Sequence, residues 1–593
     1  MNKISFIICI IVACCILPKK DTDTVNNLKT FAKVYGYVKY FHPSEEAFQV
    51  DWKRFSAYGA SEIIKCKNQT EIIEKLTELF KPIAPTIVFS DRMASYNNNK
   101  LIPPNKTAYR TTYWQHRGLA TGMRFRDGNP YRSVRVNALN KITRFGKTTA
   151  TKGAPIFDAS PAFGAIIEEK IGEGIYCQIP LTLYTNDEGT YPKSETFSLL
   201  QNNLNKINAD DLGIAARLGN IINVYNVFQH FHPYFKEANV NWNKELETAL
   251  QRSFTDNTRS EHLITLQKFT ATLKDGHIWV NGGPTGTYQP PINWQWIENK
   301  LVITNVFDDA LDLNIGDVVS KINGIPVDEY FKEVKSTIAA GTEGWANYRA
   351  QKQIILGKRY TEFNIEVNSK TIKLQRNGIY NYGKTKIPIQ EHLHTQLDHN
   401  IYYINLAKAP MDTITKILPK LKKSDGIICD LRGYPKGNDA FISHLLKKKD
   451  TSASWMRIPH IIYPDQKNIT GYRNSGWALP TKKPYLGDKK IVFMINGRAI
   501  SYAESYMGFI KNYDLATIIG QPTAGTNGNL ISFHILSKYT ISWTGMKVVN
   551  HDGSQLYAKG ILPDIYVQKT INGIKKGEDE FLNKAIEVIL NKQ

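Results

Sequence analysis

The fold is decided by residues 491–529, which read IVFMINGRAISYAESYMGFIKNYDLATIIGQPTAGTNGN. Five consecutive apolar residues, 491–495, predict a buried strand, and the turn-forming pair that begins at Asn496 ends it. A helix is predicted to follow and to end near Asn512. A second apolar run, 515–519, predicts another buried strand, so the unit is strand, turn, helix and strand.

Ser501 lies where this helix is predicted to begin, and Glu504 follows it by three positions as in a capping box. A serine at the first turn of a helix, just beyond a buried strand, meets the positive end of the helix dipole, where developing negative charge is stabilised. Ser501 can therefore be an ordinary N-cap or a nucleophile. The segment alone favours the cap.

Four further motifs accompany SYAES (residues 501–505), and they are KDGHIWV (274–280), NIGDVVSKINGIPV (314–327), DLRGYPKGN (430–438) and ATIIGQPTAGTNGN (516–529). In kind and order, the set resembles the tail-specific, or carboxy-terminal processing, serine peptidases over residues 215–593. The resemblance implies a Clp protease/crotonase-like catalytic core, a protein or peptide substrate, and no metal or other cofactor.

The resemblance also implies roles for single residues. Ser501 matches the family's nucleophile, and the backbone N–H groups of Gly433 and Tyr502 match its oxyanion donors. One branch of the family uses a lysine base, but this chain has Thr526 at that position. The tricorn-like branch uses a histidine before the PDZ domain, and His277 stands at the matching place as general base.

The residue that orients the histidine is less well defined by the sequence. The tricorn-like branch has a glutamate shortly before a Gly-x-x-Pro-Asp motif, whereas residues 555–559 contain no carboxylate. Asp552 is the nearest acid and is our candidate orienter, with a turn-forming Asp-Gly pair as the equal alternative. The serine that precedes the histidine in that branch is replaced by Gly276.

Residues 288–378 are interpreted as a PDZ-like domain. Within them, Ile315 and Gly316 resemble the loop with which PDZ domains bind a chain terminus, and we predict that they bind substrate. A hairpin without a binding role is the alternative.

Several domains are expected, because a chain of 593 residues exceeds one hydrophobic core. The predicted class is multidomain α/β, with the PDZ-like domain inserted before the catalytic core and with a duplicated helical unit and a β-rich insert ahead of both. The predicted divisions are 1–19 (signal peptide), 24–90 (first helical copy), 100–200 (β-rich insert, read as a sandwich), 210–282 (second helical copy, with His277), 288–378 (PDZ-like) and 390–593 (catalytic α/β).

The helical duplication is visible as an internal repeat. The pattern Val34-Tyr35, Phe41-His42-Pro43 and Trp52 recurs 190 residues later as Val224-Tyr225, Phe231-His232-Pro233 and Trp242. Because both copies keep the histidine before a proline, we interpret His42 and His232 as structural.

The N-terminus predicts export. Lys3 precedes the apolar run 4–13, which is too short to span a membrane and is typical of a signal peptide. The sequence up to Cys14 resembles a lipoprotein cleavage box, so we predict a periplasmic or outer-membrane lipoprotein held in the cell envelope only by a lipid on Cys14. An ordinary secretory signal is the alternative.

Charge does not point to a nucleic-acid partner. The chain has 75 Lys and Arg against 54 Asp and Glu, a net charge of +21, but the lysines are scattered and form no long tract with interleaved aromatics. The sequence therefore predicts a serine peptidase of the bacterial cell envelope. The alternatives are a catalytically silent ligand-binding relative and a carbohydrate-binding lipoprotein that uses the β-rich insert.

Overall fold

The computed structural model describes residues 20–119, 131–144, 147–282, 286–379 and 392–591, without the side chains of residues 141–148. The predicted signal peptide and Cys14 lie outside these ranges. Within them, no helix combines the length and the apolar character needed to cross a membrane.

The N-terminal part is a layer of helices built from both segments of the repeat. These helices are α1 (Thr22–Phe41), α2 (Glu45–Gln49), α3 (Trp52–Ile63), α4 (Gln69–Phe80), α5 (Phe197–Asn205), α6 (Ile214–Phe231), α7 (Phe235–Ala238), α8 (Trp242–Thr255) and α9 (Arg259–Ala271). Helices α1 and α6 both stop at the residue before a His-Pro pair, because a residue that precedes proline is disfavoured in the α region. Helix α3 packs on α6, and both segments share one hydrophobic core.

The region between the two helical segments is rich in strands, as predicted, but it is not a sandwich. Its elements are β1 (Val88–Ser90), β2 (Arg110–Thr112), β3 (Trp114–Arg117), β4 (Arg132–Arg135), β5 (Leu139–Arg144), β6 (Lys147–Lys152), β7 (Ile166–Gly172), β8 (Ile175–Pro180), β9 (Leu183–Asn186), β10 (Gly189–Tyr191) and a short 3₁₀ helix (Asn98–Leu101). The strands divide among four sheets, ordered β1-β8-β7, β10-β9-β2, β5-β6 and one that contains β3-β4. Strand β3 pairs with a strand of the C-terminal part, through His116 and Ile461, so the region is not a self-contained sandwich.

An antiparallel sheet with two helices occupies the range interpreted as PDZ-like. After β11 (Trp279–Asn281) come β12 (Ile292–Ile297), β13 (Lys300–Val306), β14 (Val318–Ile322), β15 (Ile325–Pro326), α10 (Val327–Lys335), α11 (Glu343–Ile355), β16 (Glu362–Val367) and β17 (Lys370–Gln375). The sheet order is β12-β13-β14-β16-β17, with β15 paired to β14. Strand β12 therefore lies at the edge of this sheet, beside α11.

The C-terminal part is an α/β layer. Its elements are β18 (His394–Gln396), β19 (Ile401–Asn405), α12 (Met411–Lys423), β20 (Gly426–Asp430), β21 (Met456–Ile461), β22 (Ile469–Ser475), β23 (Lys490–Ile495), α13 (Tyr502–Asn512), β24 (Thr517–Gly520), β25 (Leu530–His534), β26 (Thr540–Thr544), β27 (Lys547–Val548), β28 (Ile565–Tyr566), α14 (Ile571–Lys576), α15 (Glu580–Leu590) and the 3₁₀ helices Asp439–His444, Pro464–Gln466 and Leu536–Lys538. The main sheet has the order β18-β19-β20-β23-β24-β28 and is parallel except for β18. Hydrophobic cores cover both of its faces, as expected for a parallel sheet.

A small sheet joins the distant parts of the chain. Strand β11 pairs antiparallel with β26, which pairs with β25, so the order is β11-β26-β25. The residues just before β11 are thereby held against the chain that follows Ser501, and this pairing positions the site described next.

Candidate active site

Ser501 lies at the turn between β23 and α13, and it is the N-cap residue of α13, as predicted. Its φ is +60° and its ψ is −111°, a conformation that non-glycine residues rarely adopt. Such strain persists only where the surroundings impose it, and it clusters at functional sites. The N–H of Ser501 donates to the carbonyl oxygen of Thr526 at 2.9 Å, which fixes the turn.

Glu504 stabilises this turn through hydrogen bonds. It is buried, with 1% of its surface exposed. Its carboxylate accepts hydrogen bonds from the N–H groups of Gly525 at 2.7 Å, Thr526 at 2.9 Å and Ser501 at 3.3 Å, and from the hydroxyl of Thr523 at 2.5 Å. Burial raises the pKa of Glu504 to about 7, although the hydrogen bonds favour its charged form.

His277 is held by a hydrogen-bonded relay. Its Nδ1 lies 2.9 Å from the hydroxyl oxygen of Thr544, and that hydroxyl donates to Oδ1 of Asp275 at 2.8 Å. With its proton given to Asp275, the hydroxyl of Thr544 can only accept from Nδ1. This assigns the proton to Nδ1 and leaves the Nε2 lone pair of His277 free to act as a base.

The electrostatics of His277 follow from its burial beside a carboxylate. Asp275 is fully buried, and it also accepts from the N–H groups of His277 at 3.0 Å and Thr544 at 2.8 Å. Burial lowers the pKa of His277 below its ordinary value, and the charge of Asp275 opposes that shift. The imidazole is therefore neutral near neutral pH, as a general base must be.

Thr526 links the serine and the histidine. Its carbonyl oxygen accepts from the N–H of Ser501 at 2.9 Å, and its hydroxyl accepts from the N–H of Gly276 at 2.8 Å. The backbones on both sides of the site thus bond to the same residue, although 224 positions separate Ser501 from His277. Thr526 stands at the position where the lysine-using peptidases have their base, and in this chain it joins the two segments.

The two predicted oxyanion donors belong to adjacent elements. Gly433 follows β20 and Tyr502 is the first residue of α13; neither backbone N–H donates a hydrogen bond to another residue within the described ranges. The Tyr502 hydroxyl donates to Oδ1 of Asp439 at 2.6 Å and accepts from the Asp439 N–H at 3.2 Å. Tyr502 thereby anchors the loop after Gly433 to the helix that Ser501 begins.

The structure does not bring Asp552 to His277. Asp552 is exposed and accepts from the N–H of Ser554 at 2.9 Å, which closes a local turn. This is the alternative role that the sequence left open, and Asp275 with Thr544 occupies the orienting position instead. Asp275 could have been considered from the sequence, because it lies two residues before the histidine in the same motif. Thr544 lies in no recognisable motif, so no pattern in the sequence selects it.

Ile315 and Gly316 lie in a loop of the antiparallel sheet that precedes the catalytic layer. Ile315 is 47% exposed, whereas the Gly316 N–H already donates to the carbonyl of Ile303 at 2.8 Å. Gly316 has a φ of +93°, and a Cβ there would collide with the side chain of Lys575. Of the two residues, only Ile315 is exposed to a ligand.

Arg432, His42 and His232 are buried, and the last two are interpreted from the sequence as structural. Arg432 pairs with Asp430 at 2.6 Å and with Asp579 at 2.8 Å. His42 and His232 are fully buried. Among the described residues, no group of three or more His, Cys, Asp and Glu side chains could hold a metal ion.

A strained serine at a helix N-terminus, a neutral histidine with an oriented tautomer, and two free backbone donors are the components of a serine hydrolase site. The comparisons with known proteins agree with this class. The sequence model of peptidase family S41 matches residues 400–567. A protein of Staphylococcus aureus (strain bovine RF122 / ET3-1), named "Probable CtpA-like serine protease", is 22% identical over 414 residues, which cover 65% of this chain and 74% of that protein.

Solved structures show the same fold. Mature CPAF, alone and complexed with lactacystin, gives a TM-score of 0.50 in both cases, with identities of 15% and 14%. Each match covers 64% of this chain and 98% of the other. Residues 400–567 therefore form a domain of peptidase family S41, and the predictions of this family and of a serine-type peptidase are confirmed.

Proposed function

We propose that this protein is an endopeptidase of the cell envelope in which Ser501 is the nucleophile and His277 is the general base. The observation that carries this proposal is the double hydrogen bonding of Thr526, which ties Ser501 and the residue before His277 to one anchor. A purely structural N-cap at Ser501 would require neither the strained backbone nor this link to the segment that carries the oriented imidazole of His277.

The chemistry follows from these positions. Ser501 Oγ attacks the scissile carbonyl carbon while Nε2 of His277 takes its proton, and the same nitrogen then protonates the leaving amine. The N–H groups of Gly433 and Tyr502 donate to the oxyanion of the tetrahedral intermediate. A water molecule, activated by His277 in the same way, then hydrolyses the acyl-enzyme and restores Ser501.

Asp275 replaces Asp552 as the acid of this mechanism. Its carboxylate stabilises the imidazolium that forms at His277, and it does so both through space and through the Thr544 hydroxyl. Thr544 is a positioning residue, because it fixes the tautomer of His277 without reaching the substrate. In the proposed mechanism the groups act in the order Asp275, the Thr544 hydroxyl, His277 and Ser501.

The substrate is proposed to enter along a cleft of about 1,230 Å³ between the antiparallel sheet and the carboxyl edge of the parallel sheet. Edge strand β12 and helix α11 form one wall, with Ile315 among the lining residues, and Asn496 and Arg498 before Ser501 belong to the other. An exposed edge strand beside a helix accepts an extended peptide by strand addition. We therefore interpret residues 288–378 as a PDZ-like domain that presents a substrate C-terminus.

The N-terminal features complete the proposal. The signal peptide and Cys14 would place the protein in the envelope as a lipoprotein. We interpret helices α1 and α3 as a duplicate of α6 and α8, since the repeat landmarks fall at matching helix ends. The second copy leads into the segment that carries His277, and the first copy packs against it.

The test compares the mature protein with its Ser501→Ala variant. Each is incubated with casein and, separately, with a fluorophosphonate that labels active-site serines. Ser505→Ala is the matched control, because Ser505 lies on the same helix with its hydroxyl paired to Asn527. Cleavage and labelling should be lost only in Ser501→Ala. Equal cleavage by Ser501→Ala, or no activity and no labelling in the unaltered protein, would refute the proposal.

A further inference from the structure

A second, smaller cavity lies beside the strand that follows His277. It measures about 180 Å³, opens to solvent, and is lined by residues of β11, α9, α11 and the segment 337–339. Pockets that hold an entire small-molecule ligand are larger, at roughly 300–1,000 Å³, so this cavity suits a single side chain or a chain end. Trp279 and Arg349 line it.

Arg349 lies in this cavity, and no residue that the structure describes provides its counter-ion. Its guanidinium carbon lies 3.3 Å from the ring centroid of Trp279, a stacked cation–π contact. Its Nη1 is buried and has no hydrogen-bond partner, and Arg349 forms no ion pair with any residue that the structure describes. Burial lowers the pKa of Arg349 to about 9, so it remains a cation at neutral pH.

A second unpaired donor lies one turn earlier on α11. The Nε1 of Trp345 is buried and has no hydrogen-bond partner within the described ranges. Buried polar groups are almost always hydrogen-bonded, and an unpaired buried cation is costly. Of these two residues only Arg349 lines the cavity, so its unpaired donor points to an acceptor that comes from a ligand.

The same helix is packed against the catalytic loops. The Thr342 hydroxyl donates to the carbonyl of Thr523 at 2.9 Å, and a Cβ on Gly344 would lie 2.9 Å from the Cα of Gly497. A Cβ on Gly276 would lie 2.8 Å from the Nε1 of Trp345. The helix that carries Arg349 is therefore packed on the segments that carry His277 and Ser501.

We propose that Arg349 binds a carboxylate of the peptide substrate and thereby sets cleavage specificity. This inference rests on the proposed function. A guanidinium presents a planar fork of donors that matches a carboxylate in bidentate geometry. The carboxylate belongs either to an Asp or Glu side chain near the cleaved bond or to the C-terminus of the substrate, and both sources offer the same chemistry to the cavity.

The experiment measures kcat/KM on peptides derived from one cleaved sequence. Single positions around the cleaved bond are exchanged between Glu and Gln and between Asp and Asn, and each peptide is made with a free or an amidated C-terminus. The full mature protein is compared with Arg349→Met, Arg349→Lys and the control Arg359→Met. Arg359 is an exposed arginine of the same domain that stacks on Tyr360 at 4.8 Å and lines neither cavity.

The unaltered enzyme should prefer the carboxylate over its amide about 10- to 100-fold at one position or at the C-terminus, as expected for a charge-assisted hydrogen bond. Arg349→Met should reduce this ratio to near 1, Arg349→Lys should keep part of it, and Arg359→Met should keep all of it. The side-chain and C-terminal arms identify the source of the carboxylate.

The inference is overturned if the enzyme shows no carboxylate preference, or if Arg349→Met slows acid and amide peptides equally, which would mark a packing role. Calorimetric binding of the acid and amide peptides to Ser501→Ala provides a readout that needs no catalysis. Equal binding of both peptides there would refute the role of Arg349, whereas missing serine labelling would refute the proposed function.

Discussion

Replacing Thr544 by valine tests whether His277 is oriented through the hydroxyl relay. Valine has nearly the shape of threonine, so the strand pairing of β26 and the hydrogen bond from the Thr544 N–H to Asp275 at 2.8 Å are kept. The substitution removes the hydroxyl that bridges His277 Nδ1 and Asp275 Oδ1. The imidazole then loses both its fixed tautomer and its link to the acid.

The magnitude follows from the bonds removed. A buried donor left without a partner costs about 1–3 kcal/mol. In the proposed mechanism the relay stabilises the imidazolium that forms in the transition state, so this cost should appear in the barrier, as a fall of about 5- to 150-fold in kcat/KM. The loss should fall on kcat rather than KM, since Thr544 does not line the substrate cleft.

The assay is steady-state cleavage of one fluorogenic peptide by the purified mature protein and three variants. Thr544→Ser keeps the hydroxyl and should retain most of the activity. Thr540→Val is the matched control, because Thr540 lies on the same strand with its hydroxyl oxygen 2.9 Å from Nδ1 of the exposed His534. Its activity should equal that of the unaltered protein.

Two results would refute the reasoning. Full activity of Thr544→Val would show that His277 is oriented by another group or is not the base. Equal losses of activity in Thr544→Val and Thr540→Val would show that the hydroxyls of this strand contribute only to folding. The melting temperatures of the two variants would then fall together.

Three further predictions concern the groups around this relay. Tyr502→Phe removes the hydrogen bond to Asp439 that anchors the oxyanion loop, so kcat should fall roughly tenfold, and an unchanged kcat would show that the loop is anchored elsewhere. Asp275→Asn removes a charge that raises the pKa of His277. The acid limb of the pH–rate profile, which burial of His277 already holds below 6.5, should therefore move to lower pH while the plateau falls. A move to higher pH contradicts this. Glu504 binds its proton more tightly in the folded state, because its pKa there is about 7 against an ordinary value of 4.5. As the pH rises from about 4.5 to about 7, the unaltered protein should therefore lose up to about 3 kcal/mol of stability relative to Glu504→Gln. Urea midpoints at about pH 5 and about pH 8 measure this, and a constant difference between the two proteins contradicts it.

Local sequence was sufficient for the elements around Ser501. The apolar run 491–495 predicted a strand observed as Lys490–Ile495, and the helix predicted from Ser501 to near Asn512 is observed as Tyr502–Asn512 with Ser501 as its N-cap. These features depend on side-chain periodicity and capping within a few residues, which a sequence displays directly.

Pairing between distant segments could not be predicted in this way. The β-rich insert was expected to be a sandwich, but β3 joins β21 from the C-terminal part. A strand's pattern shows that it pairs and which face is buried, whereas its partner depends on the packing of the whole chain. The exposed turn at Asp552 and the buried acid at Asp275 were likewise not distinguishable from residue type alone.

The sequence by itself indicated the family, and it predicted the proposed nucleophile, base and oxyanion glycine, because each lies in a short motif whose chemistry constrains its residues. Only the tertiary structure decided which side chains complete the site. Thr544 contacts Asp275 across 269 positions, and Arg349 of α11 contacts Trp279 of β11. Such contacts arise when the core closes and brings separate segments together, and no local pattern of residues records them.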